Sequence, residues 1–271
     1  MRVIVIGAGI GGLTAALALR KRGLDVEVFE RSAELRDVGA GISLWPNALK
    51  ALRQLGLAAR LDAMSIESVE GALRAASGEV LTRTSAREMD RVGGAPRVFH
   101  RAELLTVLVE AAAGIPIHLG HTCTGVVHDA DRAAAMFANG ASAAADLIVG
   151  ADGLRSVVRA AVGVPGVPRY AGYTAWRGVA RFPYARLLPG ETLGCGRRFG
   201  MVPVSGERVY WYATSNRPEG VQHRDVEATP KLLRLFAGWH EPIERLIETT
   251  DVILSNDIYD RDPSNDGVAG E

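Results

Sequence analysis

The chain opens on a continuous apolar run, Val3-Ile4-Val5-Ile6, the pattern of a strand buried on both faces of a parallel sheet. A glycine-rich turn follows. Ile10, Leu13 and Leu17 then recur at helical spacing, and Arg20, Lys21 and Arg22 close the last turn, where cations complement the helix dipole. Gly23 stops the helix, and Asp25–Glu30 reads as a second strand, so the first thirty residues predict one β-α-β unit. Further on, the pattern predicts helices over Pro46–Leu55 and Ala102–Ala113, with Leu104, Leu105, Leu108 and Val109 lining one face of the latter. Between them, residues 69–98 read as short strand-like pieces and polar turns. Residues 117–149 read as a β meander with a hairpin turn at Asn139-Gly140, ending in a buried strand, Leu147–Val149. A short helix is expected at Ser156–Val162 and a longer one at Lys231–Glu248.

Aromatic residues are not spread evenly. Nine lie between Tyr170 and Tyr212, against a total of 4 Trp, 6 Tyr and 6 Phe in the whole chain. Alternation along this stretch predicts an antiparallel sheet with Tyr173 and Arg177 on one face and Trp176 on the other. Tyr210 and Tyr212 share a face in the same way.

Composition narrows the function classes. The 31 basic and 31 acidic residues cancel, which argues against nucleic acid or an anionic membrane as partner. No apolar run reaches membrane-spanning length and none resembles a signal peptide, so a cytoplasmic protein is expected. Cys123 and Cys195 stand far apart, and His118, His121 and His128 lack a ligand spacing, so neither a disulfide framework nor a metal site is expected.

Two motifs carry chemistry. Gly7-Ala8-Gly9-Ile10-Gly11-Gly12 lies between a predicted strand and a predicted helix, the context a dinucleotide fingerprint requires. Gly7 allows the tight turn, Gly9 lets the backbone approach a pyrophosphate, Gly12 lets helix and strand pack, and Gly11 is counted with them among the expected cofactor contacts. The helix N-terminus offers free N–H groups to the phosphates. Glu30 stands where a ribose ligand is expected, and its charge disfavours a 2′-phosphate at that site. The second motif, Gly150-Ala151-Asp152-Gly153-Leu154-Arg155-Ser156, follows a buried strand; Asp152 is expected to accept from sugar hydroxyls.

With these two motifs the chain resembles the flavoprotein aromatic hydroxylases, the group of salicylate, hydroxybenzoate and urate hydroxylases. Tyr173-Thr174-Ala175-Trp176-Arg177-Gly178 and Arg198-Phe199-Gly200-Met201-Val202-Pro203 resemble that family's substrate-domain strands. The resemblance implies an α/β fold: a Rossmann-like FAD-binding domain with a p-hydroxybenzoate-hydroxylase-like antiparallel sheet. Residues 1–70 and 97–170 would bind FAD, 71–96 and 171–260 would hold substrate, and 261–271 would be a disordered tail. It implies FAD as cofactor, NADH or NADPH as transient co-substrate, O2 as co-reactant and a small aromatic substrate. It adds Arg31, Arg36, Gly41, Arg101, Val126 and Gly153 to the expected cofactor contacts, and sets Arg177 and Tyr212 toward the flavin to meet a polar or anionic substrate. No catalytic side chain is implied. The family's third motif, Gly-Asp followed by Ala-His-Pro, is expected soon after Val252–Tyr259 and does not occur before Glu271. The resemblance therefore also allows a C-terminally truncated or degenerate FAD-binding paralogue, or another flavin oxidoreductase of the superfamily.

Overall fold

The computed structural model describes residues 1–35, 40–68, 70–129, 132–163, 166–183, 187–220, 228–263 and 267–268. The chain forms two compact units. The first holds Met1–Asp37, Leu104–Arg169 and Asp260–Glu271, the second Val38–Glu103 and Tyr170–Tyr259.

In the first unit, strand β1 (Arg2–Ile6) lies inside a four-stranded parallel sheet, between Leu147–Gly150 and β2 (Asp25–Phe29), with Ile117–His118 beyond β2. An interior position explains the unbroken apolar run: Val3, Ile4 and Val5 are fully buried. Helix α1 (Ile10–Lys21) makes the crossover that two parallel neighbours require. It turns Gly12, Leu13 and Ala16 inward. A separate antiparallel sheet joins Cys123–His128, Ala133–Phe137 and Ser142–Ala145, with the expected turn at Asn139-Gly140. The meander is thus shorter than 117–149. Its two ends, Ile117–His118 and Leu147–Gly150, belong to the parallel sheet, because apolar Leu147–Val149 pairs in register with Val3–Val5. Ile4, Ile6 and Phe29 pack with Ala135, Phe137, Ala145 and Val158 to form this unit's core.

The second unit is built on a seven-stranded sheet. Its strands run in the order Leu254–Asp260, Arg169–Arg181, Arg208–Asn216, Arg197–Val204, Gly190–Gly194, Gly71–Ala75 and Val80–Thr84. One face is apolar: Trp176, Phe199, Met201, Trp211 and Ala213 pack against Leu232, Phe236, Ile243, Leu246 and Ile247. Trp211 also satisfies its indole N–H with Thr250 Oγ1 at 2.8 Å. The alternate positions Tyr173, Arg177, Tyr210 and Tyr212 therefore share the opposite face, as the alternation predicts.

Three elements differ from the sequence expectation. The helix expected over Lys231–Glu248 is two helices, Ala228–Leu235 and Ile243–Glu248, separated by Gly238 at positive φ and by Pro242. The polar stretch before residue 98 contains a helix, Ala86–Arg91, nucleated by a capping box between Ser85 and Glu88. Residues 40–68 and 97–103 group with the second unit rather than with the first. The reason is local pairing: Gly41–Leu44 and Ile66–Glu67 both add to Arg97–His100 in a small antiparallel sheet. Within 261–271, Arg261 donates to Leu154 O at 2.6 Å, and 264–266 and 269–271 lie outside the described residues.

Candidate functional site

The turn between β1 and α1 is packed on one side and open on the other. A Cβ on Gly12 would lie 1.8 Å from Gly7 O, and one on Gly7 would lie 2.4 Å from Ala151 O. Gly7 also sits at φ +104, a conformation side chains resist. Gly9 and Gly11 differ from both, because a Cβ on either would meet nothing within 4 Å. Gly9 is the N-cap of α1 and makes no side-chain cap. The first intrahelical bond runs from Leu13 N to Gly9 O at 3.0 Å, so the N–H groups of Ile10, Gly11 and Gly12 precede the ladder. The open backbone, free amides and positive helix end fit a pyrophosphate.

Glu30, just past β2, faces this turn. Its carboxylate accepts from Ala8 N at 2.7 Å and from Ser32 N at 2.9 Å. Burial pushes the carboxyl's pKa up, but these two N–H donors, helped by the nearby Arg31 charge, outweigh it and hold the group below its ordinary range. Glu30 is therefore an ionised, oriented acceptor, which fits ribose hydroxyls. Arg31 itself is exposed.

In the second motif the acid has partners within its own segment. Asp152 turns back into its own chain. It accepts from Ser156 Oγ at 2.5 Å and from the N–H groups of Val157 and Val158 at 2.6 and 3.3 Å. It thus binds the start of helix Val157–Ala161, whose N-cap Ser156 accepts from Arg159 N. Gly153 beside it has φ +83 and open space around its Cα. Val126 lies in the three-stranded sheet opposite Ala135 and packs against the first unit's core.

Of the remaining expected contacts, Arg36 lies outside the described residues, as does Gly39. Arg101 begins helix Arg101–Ala111, its N–H bonded to Ala40 O at 2.8 Å. Gly41 lies against the Tyr210 ring, where a Cβ would come within 2.3 Å of Cδ1. His118 packs rather than ligates, stacking on Phe29 with its Nε2 2.8 Å from Glu27. Among the described residues no cluster of His, Cys, Asp or Glu could hold a metal, and no helix is long and apolar enough to cross a membrane.

The second unit carries its own pocket, of about 280 Å3, on the face of the sheet opposite the tryptophans. Arg177 and Tyr212 are cross-strand partners there. Tyr173, Glu191, Arg198, Tyr210 and Thr214 complete its polar lining. Arg177 Nη1 donates to Asn256 Oδ1 at 3.3 Å, and its charge lies near the Tyr210 phenol. Tyr212 donates to Glu191 Oε1 at 3.0 Å, and Arg198 Nη1 stands 3.6 Å from the same oxygen. Gly200 makes room for the Tyr212 ring, which a Cβ would strike at 2.1 Å. Burial pushes the phenols of Tyr210 and Tyr212 up; Arg177 partly opposes this at Tyr210, and Glu191 reinforces it at Tyr212. Both stay protonated donors. Glu191 is absent from the sequence reading, since a lone Glu in a short strand carries no signal until pairing sets it opposite Gly200.

Comparison with known proteins gives this geometry its context. Residues 1–231 match the family model FAD_binding_3, described as an FAD binding domain. The chain belongs to this FAD-binding family. FAD is its cofactor, and the chain has the fold of the FAD-dependent hydroxylases and the character of an FAD-dependent oxidoreductase. It is 40% identical over 276 residues to the aurachin C monooxygenase/isomerase of Stigmatella aurantiaca, covering 100% of this chain and 72% of that protein. It is 37% identical to an FAD-dependent urate hydroxylase of Klebsiella pneumoniae, again over 100% of this chain and 72% of the relative. The crystal structure of Klebsiella pneumoniae HpxO complexed with FAD and uric acid superposes with a TM-score of 0.88 at 33% identity, covering 97% of this chain and 69% of that one.

Proposed function

We propose that this chain is an FAD-dependent monooxygenase that hydroxylates a small aromatic or heteroaromatic substrate, using NADH or NADPH and O2. Bound flavin supplies the redox chemistry, taking electrons from the nicotinamide and activating oxygen. The chain's own residues bind and orient. Gly9, Gly11 and the free amides of α1 meet the pyrophosphate, while Gly7 and Gly12 let the turn form. Glu30 accepts from the adenosine ribose, and Arg31, Arg101 and the Gly153 turn add cofactor contacts. Asp152 acts through the helix it caps. In the second unit, Arg177 and Arg198 offer charge-assisted donors to an anionic or carbonyl edge, and the tyrosines supply flat apolar walls with polar tips.

One observation carries the reading: a family member with an open, uncapped fingerprint turn also bears a pocket of about 280 Å3 lined by two arginines and three tyrosines. Both named relatives are monooxygenating or hydroxylating enzymes. The test loads the chain with FAD and supplies NADH or NADPH with urate, salicylate or 3-amino-4-hydroxybenzoate. Substrate-dependent nicotinamide oxidation and a product heavier by one oxygen are expected with at least one compound. Full FAD occupancy with no compound stimulating oxidation would overturn the reading.

A further inference from the structure

Within the pocket, charges are paired unequally. Glu191 is half-buried and receives Tyr212 Oη and the Arg198 guanidinium on the same oxygen, Oε1. Its other oxygen, Oε2, has no hydrogen-bond partner among the described residues. A carboxylate offers about four lone-pair sites, so unused acceptor capacity remains in a pocket whose other polar groups are mainly donors. Tyr212 fixes the carboxylate from one side. The Tyr212 ring lies over Gly200, where a Cβ would strike it at 2.1 Å, and Arg177 is its cross-strand neighbour. Arg177 donates to Asn256 and has no carboxylate partner among the described residues. The pocket therefore presents an arginine able to take an acceptor and, beyond the strands of Tyr212 and Arg198, a carboxylate held by both of them and able to take a donor.

We propose that Glu191 is a specificity-determining residue that selects ring substrates carrying an O–H or N–H donor, by accepting that hydrogen on its free oxygen. The substrate class is a planar ring with an acceptor or anionic group at one edge, held by Arg177, and a hydroxyl, amino or ring N–H group at another, held by Glu191. A ring with acceptors at both places leaves the carboxylate facing like charge or lone pairs. A site built to accept a hydrogen rejects the analogue that lacks it more strongly than an apolar pocket rejects a misfit. This inference rests on the proposal that the pocket holds the substrate.

Three matched pairs test it: 2-, 3- and 4-hydroxybenzoate, each against the fluorobenzoate of the same isomer, which keeps the shape and loses the donor. Their dissociation constants are measured calorimetrically on the FAD-loaded chain. The unaltered chain should bind at least one hydroxybenzoate about tenfold or more tighter than its fluoro partner. Glu191→Met should bring that ratio below about threefold, and Glu191→Gln should give an intermediate ratio, since a neutral carbonyl accepts more weakly than a carboxylate. The affinity for the fluoro partner should stay level or rise, because a lone-pair contact with the carboxylate is removed, and the affinity for FAD should be unchanged. An undiminished ratio in both variants, or equal weakening of both members of the pair, would overturn the inference. If the Met variant does not fold, the Gln variant alone decides by the same criterion. Failure of every benzoate to bind the unaltered chain would instead overturn the pocket's role as substrate site, and this inference with it.

Discussion

The fingerprint turn and the tyrosine-lined pocket are built by opposite means. At the turn, what matters is the absence of side chains. Gly7 and Gly12 are packed so tightly that any Cβ would collide with backbone, while Gly9 and Gly11 keep the helix amides uncovered. At the pocket, what matters is which side chains four strands bring together: Arg177 from one, Tyr210 and Tyr212 from the next, Arg198 and Glu191 from two more. Backbone recognition is rigid and indifferent to the rest of the chain. Side-chain recognition is a property of register, and one substitution can retune it.

The largest effect to separate the two should come from Gly12→Val. Its Cβ would lie 1.8 Å from Gly7 O, and backbone cannot yield cheaply. A loss of about 4 kcal/mol or more, enough to prevent folding of the first unit, is expected in denaturant titration. A native-like midpoint would show that the turn relaxes and that the packing account is wrong.

Next comes Arg177→Met, which keeps the bulk and removes the charge. Affinity for the hydroxybenzoates should fall by about 1.5–3 kcal/mol, the range for hydrogen bonds to a charged group, with FAD affinity unchanged. A fall in FAD affinity with no change for the benzoates would reverse the assignment of the two regions.

Glu30→Gln should weaken FAD by about 1–3 kcal/mol in a fluorescence titration. It should also change the acid limb of stability. The folded-state pKa of Glu30 is depressed, so its contribution is present above the unfolded carboxyl's value of about 4.3 and is lost as pH falls through the lower folded value. The Gln variant should lack that part of the pH dependence. A variant with unaltered FAD affinity and an unaltered acid limb would remove Glu30 from the site.

The smallest effect is expected at Asp152. If it serves as a helix cap, Asp152→Ala should cost about 1 kcal/mol of stability. Its effect on FAD binding should follow from that loosening, and Asp152→Asn, which can still accept at the cap, should restore most of both. Loss of FAD in the Asn variant at full stability would return Asp152 to direct contact with the cofactor.

How much of this was legible in the sequence follows from the same contrast. The turn was legible because its consequences are local: strand, glycines, helix and acid lie within thirty residues, and each has a steric or electrostatic reason. The faces of Arg177 and Tyr212 were legible because a strand alternates with period two. Glu191 was not, since only the pairing of Gly190–Gly194 with Arg197–Val204 sets it beside Arg198 and Tyr212. The helix-capping bonds of Asp152 were not read from the sequence, though Ser156 four residues on marks a helix start to which the side chain turns. The break between Ala228–Leu235 and Ile243–Glu248 was written in Gly238 and Pro242, but the apolar spacing across them masked it. Ser85 and Glu88 likewise spelled a capping box inside a stretch too polar to suggest a helix.

The central claim is that FAD is held by uncovered backbone at the start of α1. Gly9→Val tests it most directly, because a Cβ there meets nothing within 4 Å and the fold has no reason to suffer. The measurement is an FAD titration of the purified variant alongside its thermal midpoint. The expected result is an unchanged midpoint for the FAD-free chain, with FAD affinity lower by about a hundredfold or more, or about 2.7 kcal/mol. An unchanged midpoint with FAD bound as tightly as before would contradict it.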